Sequence, residues 1–239
     1  MVPWMALLMA EPLVTKKGLS IIIPVLNEAD SVTAFLRHLS PWREFAEIIV
    51  VDGGSSDATV RMARGHCDQL LLTTDAGRAA QMNAGAAHAQ ADYLLFLHCD
   101  TQLTCRPGEF IGQLAGTARW GFFTIRLSGT DYRLRIIEWF MNVRSRRTRI
   151  ATGDQAIFLC RPLWDELGGY ADIPLMEDIE LCKRLRRIAA PDIASPPVVS
   201  SSRRWERYGV WTTVLTMWRL RLAYWLGVAP DRLARSYYG

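Results

Sequence analysis

The first hundred residues alternate short apolar runs with segments of helical periodicity, and this alternation constrains the fold more than any other feature. The apolar runs are LSIIIPVLN (19–27), the start of AEIIVVDGGSSD (46–57), DQLLLTT (68–74) and DYLLFLH (92–98). The segments EADSVTAFLRHLS and GRAAQMNAGAAHAQ between them space their apolar residues as a helix does. Strands buried on both faces that alternate with helices predict βαβ units, right-handed crossovers and a parallel sheet.

The pattern is less regular after Pro107, where strands and helices no longer alternate evenly. We expect strands over 120–129 and 155–160, and helices or helical turns over 130–147, 162–170, 176–188 and 210–227. We therefore predict one α/β domain over 1–239 with a mainly parallel, Rossmann-like sheet and helices on both faces. Its predicted parts are a first half (19–105), a second half (106–205) and an amphipathic helical tail (206–239).

Composition excludes several classes of protein. Half of the 239 residues are hydrophobic and 22% are charged, which is typical of a globular protein with a sizeable core. No basic low-complexity run, zinc-finger spacing or RNA-binding aromatic motif is present, so we expect no nucleic-acid partner. The five cysteines contain no C-x-x-C pair, which favours a reducing, cytoplasmic location. MVPWMALLMA (1–10) lacks the basic start of a signal peptide and is too short to span a bilayer.

Arginines are concentrated in two segments of a chain whose net charge is only +4. Seven lie between Arg126 and Arg149 and seven between Arg203 and Arg235, with two acidic residues in each segment. Such segments suit phosphate groups or an anionic membrane surface, although each arginine taken alone is more simply part of a solvated helix face.

Polar side chains follow three of the predicted strands. Asn27 and Glu28 follow the first, Asp52 ends the second, and His98 and Asp100 follow the fourth. Ligands of open parallel sheets collect at the carboxyl ends of the strands, so we expect these groups to form one site.

The ordered motifs resemble those of the family-2 glycosyltransferases with the GT-A fold. The motifs are IIIPVLNE, IIVVDGGSSD, GRAAQMNAGAAHAQADYLLFLHCDT, GDQAIF, EDIELCKRL and SRRW, between about residues 19 and 207. The sequence is most similar to small bacterial members in which the metal motif reads His-x-Asp. The resemblance implies a GT-A fold, a nucleotide-diphosphate sugar as donor substrate and inversion at the transferred sugar.

The resemblance also assigns donor-binding residues, and their chemistry agrees. These are Pro24, Asn27, Glu28, Asp52, Gly53, Arg78, Arg204 and Trp205. Asp52 can accept hydrogen bonds from a base or a ribose, and glycine at 53 permits close approach of the backbone. Arg78 at a helix start can bind the diphosphate. Glu28 can instead cap a helix, and Arg78 can instead lie on the surface.

Asp100 occupies the place of the second acid in the family's Asp-x-Asp motif, which holds Mg²⁺ or Mn²⁺ against the diphosphate. His98 stands where the first acid is expected. Imidazole suits Mn²⁺ better than Mg²⁺. The resemblance therefore implies a divalent metal held by Asp100 and His98, and the alternative is a packed His98 with Asp100 as the sole ligand.

Acceptor-side residues come from the second half of the chain. The resemblance assigns Asp178 as the base that deprotonates the acceptor, Glu177 as its supporting acid, and Gly153, Asp154 and Gln155 as the wall of the acceptor pocket. The alternative for the two acids is a favourable position at the positive end of a helix. Arg204 and Trp205 resemble a shortened Gln-x-x-Arg-Trp signature that lacks its Gln.

The tail places Trp211, Trp218 and Trp225 on one helical stripe, with Arg219 and Arg221 between them. An interfacial helix and a core-packed or dimer-forming helix are equally compatible with this pattern.

We therefore predict that the protein transfers a sugar to a hydroxyl or phosphate acceptor. The acceptor could be a sugar, a lipid-linked molecule or another small molecule, and it could be met at the inner face of the membrane. A homodimer is one option for the oligomeric state. A nucleotidyltransferase or a non-catalytic nucleotide-sugar-binding protein of the same fold is the alternative.

Overall fold

The computed structural model describes residues 17–74, 77–114 and 119–238, so the expectation for MVPWMALLMA lies outside the described residues. The strands are β1 (Leu19–Val25), β2 (Ala46–Asp52), β3 (Gln69–Leu72), β4 (Tyr93–Phe96), β5 (Thr101–Gln102), β6 (Trp120–Leu127), β7 (Phe158–Cys160) and β8 (Asp192–Ser200). They form one sheet in the order β3-β2-β1-β4-β7-β6-β8-β5.

Ten α-helices accompany this sheet in the described residues. They are α1 (Val32–His38), α2 (Thr59–Ala63), α3 (Arg78–His88), α4 (Pro107–Leu114), α5 (Tyr132–Thr148), α6 (Arg161–Leu167), α7 (Glu177–Ile188), α8 (Arg203–Tyr208), α9 (Val210–Trp225) and α10 (Pro230–Tyr238). A short 3-10 turn covers Gly153–Gln155.

The first half of the chain forms the parallel part of the sheet. β1 pairs in parallel with β2 and β4, and β2 pairs in parallel with β3. The carboxyl ends of these strands therefore meet at one edge. In the second half, β7 is antiparallel to β4 and β6, whereas β6 and β8 are parallel. The expected parallel sheet is confirmed for the first half, and the second half is mixed.

Apolar side chains alternate across the sheet and fill two cores. Ile21 and Ile23 of β1 point into the core that contains α1, whereas Ile22 points into the core that contains α3. Both cores are buried, which is why the strands read as uninterrupted apolar runs instead of alternating ones.

Strand β8 was not predicted, because its sequence DIASPPVVS contains two prolines and proline cannot donate to a sheet ladder. The structure accommodates them where the pairing of β6 and β8 shifts register, between the Phe123–Ala194 and Ile125–Val198 pairs. The prolines lie in this irregular segment, so the regular ladder on either side is preserved. Without a predicted β8, the sequence could not place the segment that follows it.

The tail helices pack against the helix that carries Asp178. Met176 and Ile179 form a small apolar cluster with Leu220 of α9 and Leu233 of α10. The Trp211, Trp218 and Trp225 stripe is exposed, at 68%, 69% and 75%, so it is not packed in the core of this chain. In the described residues no helix combines the length and the apolar character that crossing a membrane requires.

Helix α3 lies directly on the parallel strands because Gly85 has no side chain. A Cβ there would lie 2.5 Å from Cγ2 of Ile22 and 3.0 Å from Cγ2 of Val51. We expect Gly85→Ala to lower the free energy of unfolding by about 1–3 kcal/mol, because the helix must move away from the sheet. Chemical denaturation measures this change.

The matched control is Gly112→Ala in α4, where an added Cβ meets no atom within 4 Å. It should leave the unfolding free energy unchanged or raise it by up to about 1 kcal/mol, since alanine is the better helix former. Equal effects of the two substitutions would contradict the close packing of α3.

Candidate active site

Asp52 organises the loop that follows β2. Its side chain is buried, Oδ2 accepts hydrogen bonds from the backbone N–H groups of Gly54 (3.0 Å) and Ser55 (2.8 Å), and Oδ1 accepts from Ser55 Oγ (2.5 Å). A carboxylate oxygen has room for two donors, so Oδ1 retains acceptor capacity for a ligand. Asp52 is at the predicted strand end and also holds its own loop in place.

The loop after β1 is joined to the loop after β2. Asn27 adopts a positive φ of 54°, and its Oδ1 accepts from the N–H of Ser56 at 2.9 Å. Its own N–H donates to Ser55 Oγ at 2.8 Å. Glu28 Oε2 accepts from Ser31 Oγ at 2.5 Å, which is a bond to a side-chain hydroxyl and not to a backbone N–H of α1, so it does not cap that helix. The two predicted donor-binding loops therefore form one surface.

Sequence reasoning missed Gln81, a buried side chain of α3. Its Nε2 donates to the carbonyl oxygens of Val25 and Val51, each at 2.8 Å, and so ties the ends of β1 and β2 together. A Cβ on Gly53 would lie 2.9 Å from Cδ of Gln81, so glycine at 53 makes room for this amide. Pro24 lies within β1 and is buried. The one signal in the sequence for the role of Gln81 was that it is a glutamine on the apolar face of an alanine-rich helix.

His98 and Asp100 follow β4 at the same edge. Asp100 is exposed, whereas His98 is half-buried with its ring against Gly153. A Cβ on Gly153 would lie 2.4 Å from Cε1 and 2.6 Å from Nε2 of His98. Burial and, after it, the nearby Arg78 charge lower the pKa of His98 to about 4, although Asp100 opposes both. His98 is therefore neutral at pH 7, the form in which imidazole ligates metals.

The described residues contain no cluster of three or more His, Cys, Asp or Glu side chains able to hold a metal ion. The pair His98 and Asp100 is a partial ligand set. Mg²⁺ and Mn²⁺ are commonly bound by one or two protein groups together with substrate phosphates, so an exposed carboxylate beside a neutral imidazole fits such an ion.

Asp178 lies on the other side of Gly153. Its Oδ2 accepts from the Gly153 N–H at 2.8 Å, and its Oδ1 accepts from the Ile179 N–H at 2.6 Å. It sits in the first turn of α7, which follows Met176 with a positive φ of 70°. One glycine therefore contacts His98 of the predicted metal pair and also the predicted base.

Burial and, after it, the charge of the neighbouring Glu177 raise the pKa of Asp178 to about 7. The N–H groups of Gly153 and Ile179 and the charge of Arg144 act in the opposite direction. Burial also raises the pKa of Glu177, which is opposed by its own N–H and by Arg78. Arg78 thus acts electrostatically on both His98 and Glu177, which places its charge between the predicted donor and acceptor sides.

The three residues of the predicted acceptor wall have different positions. Gly153 lies between His98 and Asp178, and Asp154 is half-buried with Oδ1 enclosed. Gln155 is fully buried, and its Nε2 donates to Phe123 O (3.2 Å) and Ser145 Oγ (3.0 Å). The Gln155 side chain is therefore bonded to β6 and α5 behind the predicted acceptor wall.

Residues 203–205 are arranged differently from the prediction. The Arg204 guanidinium stacks on the Tyr237 ring at 4.3 Å, and Trp205 packs against the core. Arg203 Nε donates to Ser201 Oγ at 3.2 Å, which keeps this guanidinium beside the segment that bonds to Asp100. Arg203 is therefore better placed than Arg204 to approach the predicted diphosphate.

The Arg203 segment is attached to the metal motif through the backbone. The N–H of Ser201 donates to Asp100 O at 3.0 Å, and β5 pairs with β8 immediately beside it. Because β8 was not predicted, the sequence alone could not distinguish Arg203 from Arg204.

Comparisons with known proteins agree with this geometry. The model of "Glycosyl transferase family 2" matches residues 20–120. An undecaprenyl-phosphate 4-deoxy-4-formamido-L-arabinose transferase of Klebsiella pneumoniae is 31% identical over 160 residues, which are 60% of this chain and 48% of that protein. The chain thus spans about half the length of this curated relative.

Solved structures share the fold. A mannosyltransferase of Pyrobaculum calidifontis in complex with GDP-Man and Mn²⁺ has a TM-score of 0.61 at 20% identity, over 88% of this chain and 62% of that one. Glucosyl-3-phosphoglycerate synthase of Mycobacterium tuberculosis, in complex with Mn²⁺, UDP and phosphoglyceric acid, has a TM-score of 0.54 at 17% identity, over 77% of this chain and 68% of that one. The expected GT-A architecture is confirmed.

Proposed function

We propose, from the premise that residues 20–120 belong to glycosyl transferase family 2, that this protein transfers a sugar from a nucleotide-diphosphate sugar to an acceptor with inversion at the sugar. The observation that carries the proposal is the position of Gly153, which contacts His98 and donates to Asp178. His98 of the predicted metal pair and the candidate base thus both lie against one residue, which supports activation of the acceptor close to the departing diphosphate.

The donor lies at the carboxyl edge of the parallel strands in this proposal. The loops after β1 and β2 bind the nucleoside, with Asp52 Oδ1 as an acceptor, and Arg78 with Arg203 holds the diphosphate. The relative from P. calidifontis is a complex with GDP-Man, which supports a nucleotide-sugar donor here.

Asp100, with His98, is the group that would hold a divalent ion, and such an ion would neutralise the charge that develops on the leaving diphosphate. Two similar structures contain Mn²⁺, which supports this assignment. The protein's own task is to keep His98 neutral and oriented, and burial against Gly153 does both.

Asp178 acts as the general base. Its carboxylate takes the proton of the acceptor hydroxyl as the acceptor oxygen bonds to the anomeric carbon, and the diphosphate departs with the electron pair of the broken bond. A base whose pKa is near 7 is suited to this transfer at neutral pH. A phosphate acceptor is already an anion and would need no such base.

Replacing Asp178 tests the base. We expect Asp178→Asn to lower kcat by about 10²–10⁴-fold with a hydroxyl acceptor while donor affinity is retained. In the unmodified protein the rate should fall about tenfold per pH unit below pH 7, because the protonated carboxyl cannot accept a proton. Product formation at wild-type rate by Asp178→Asn would refute the base assignment.

Replacing Asp100 tests the metal. We expect thermal stabilisation by UDP-, GDP- or dTDP-sugars to require Mn²⁺ or Mg²⁺, because the ion joins the diphosphate to the protein. Asp100→Asn should abolish the metal-dependent part, and the exposed Asp30→Asn is a matched control. Donor binding that persists unchanged after chelation would contradict the metal role.

Metal-dependent binding without transfer would instead favour a non-catalytic binding protein, and nucleotide addition to a sugar phosphate would favour a nucleotidyltransferase.

The acceptor is proposed to be lipid-linked and met at the inner face of the membrane. The exposed aromatic face supports this: it consists of Trp211, Leu215, Trp218, Leu222 and Trp225 of α9 and of Tyr132, Ile136, Trp139 and Phe140 of α5. Both sets follow helical spacing, and the beginnings of α5 and α9 line one surface cavity of about 280 Å³. The similar protein from K. pneumoniae is named as an undecaprenyl-phosphate transferase, which supports a lipid-linked acceptor.

Vesicle flotation tests membrane contact. We expect the protein to float with vesicles that contain phosphatidylglycerol, and binding should weaken with added salt because arginines near the aromatic face contribute to it. Replacing Trp211, Trp218 and Trp225 by serine should abolish binding. Leu72→Ser, which changes an apolar residue that is 70% exposed on β3, is the matched control. A triple variant that floats normally, or that loses only a homodimer in light scattering, would overturn the membrane assignment.

A further inference from the structure

Arg144 of α5 is a buried cation without a hydrogen-bond partner at two of its nitrogens. Its Nε and Nη2 are enclosed and unpaired among the described residues, and so is Oδ1 of Asp154. Polar atoms enclosed in this way are rare in proteins and call for an explanation. The mechanism proposed above does not use Arg144.

The position of Arg144 is fixed by its neighbours on the helix. Asn142 bonds to both the N–H and the carbonyl of Ile125 in β6, each at 2.9 Å. Ser145 is fully buried and accepts from Nε2 of Gln155 in the wall at 3.0 Å. The guanidinium is therefore carried on a rigid framework that joins α5, β6 and the Gly153–Gln155 turn.

The charges around Arg144 are those of the acceptor wall. The groups that raise its pKa are Asp154, Asp178 and Cys182, in that order, whereas burial lowers it. Reciprocally, the charge of Arg144 lowers the pKa of both Asp154 and Asp178. Burial raises the pKa of Asp154 to about 6, and Thr152 opposes this by hydrogen bonding.

Other groups also face Asp178. Glu177 lies on its own helix, Tyr170 precedes that helix, and Tyr224 comes from α9. Among the charged groups that act directly on Asp178, Glu177 is an acid and Arg144 is the cation. In a poorly solvated wall such a charge acts over several ångströms, because little water screens it.

We propose that Arg144 is a positioning residue of the transfer reaction: its buried guanidinium holds Asp178 as a carboxylate and, with Asp154, orders the wall around Gly153. The inference rests on the proposed role of Asp178 as base. Arg144 does not contact the substrate in this assignment. It acts by making the ionised base stable in a buried wall that would otherwise favour the neutral acid.

The test measures the ionisation of Asp178 without any need for turnover. The full chain is labelled with [¹³C]aspartate, the Asp178 carboxyl signal is assigned with Asp178→Asn, and its titration midpoint is compared among variants. We expect Arg144→Met to move the midpoint to higher pH and Arg144→Lys to keep it near its original position. Arg147→Met, an exposed arginine one turn later on α5, is the control and should not move it.

Asp154→Asn is a second variant, and it should move the Asp178 midpoint in the opposite direction. It keeps the test available if Arg144→Met does not fold. Removing this acid leaves Arg144 to act on Asp178 alone, so the midpoint should move to lower pH. Where transfer is measurable, the acidic limb of the pH–rate profile should move together with the Asp178 midpoint. Below that midpoint the rate should fall about tenfold for each pH unit.

The outcomes separate this inference from the proposed function. Unmoved midpoints in both Arg144→Met and Asp154→Asn, with activity lowered equally at every pH, would overturn the positioning role and leave Asp178 as base. Midpoints that move as expected in a protein whose Asp178→Asn variant transfers sugar normally would support the electrostatic coupling and refute the base.

Discussion

The site depends on one buried amide that holds two strands at a fixed separation. The side chain of Gln81 donates to the carbonyl oxygen of Val25, the last residue of β1, and to that of Val51, the residue before the last of β2. The Val25 oxygen also accepts from the N–H of Gly53, so the turn after β2 is held at the same point. The two loops that follow can then exchange the hydrogen bonds of Asn27, Ser55 and Ser56. A hydrogen bond of this kind contributes about 0.5–1.5 kcal/mol, so this junction contributes to stability as well as to the shape of the candidate donor site.

The first half of the fold could be predicted because the local pattern of apolar residues specifies its strands and helices. Strands β1, β2 and β4 are buried on both faces, and an uninterrupted apolar run specifies that environment. The polar residues that follow, Asp52 and Asp100, could be assigned to one edge because parallel strands bring their carboxyl ends together.

The second half could not be predicted to the same degree, because contacts distant in sequence decide it. Strand β8 tolerates its prolines because β8 itself bulges there, with residues 195–197 opposite the single residue 124 of β6. Arg144 lies in no motif, and Gln81 lies in one that assigns it no role, so the importance of both follows from carbonyl groups and acids that the fold brings to them from elsewhere in the chain. Gln155 lies in a motif, yet the burial of its side chain assigns it to the framework.

The small apolar cluster of Met176, Ile179, Leu220 and Leu233 joins the start of α7 to α9 and α10, so the polypeptide must extend through these two helices to keep α7 supported. Ile179 directly follows Asp178, and the ammonium of Lys183 on the same helix lies 4.3 Å from the centre of the Tyr224 ring. A chain shortened before Val210 would expose these apolar groups and release the start of α7 from its lateral support. The last thirty or so residues consequently support the candidate site, and a fragment chosen from the matched region alone would lack the predicted acceptor side as well as that support.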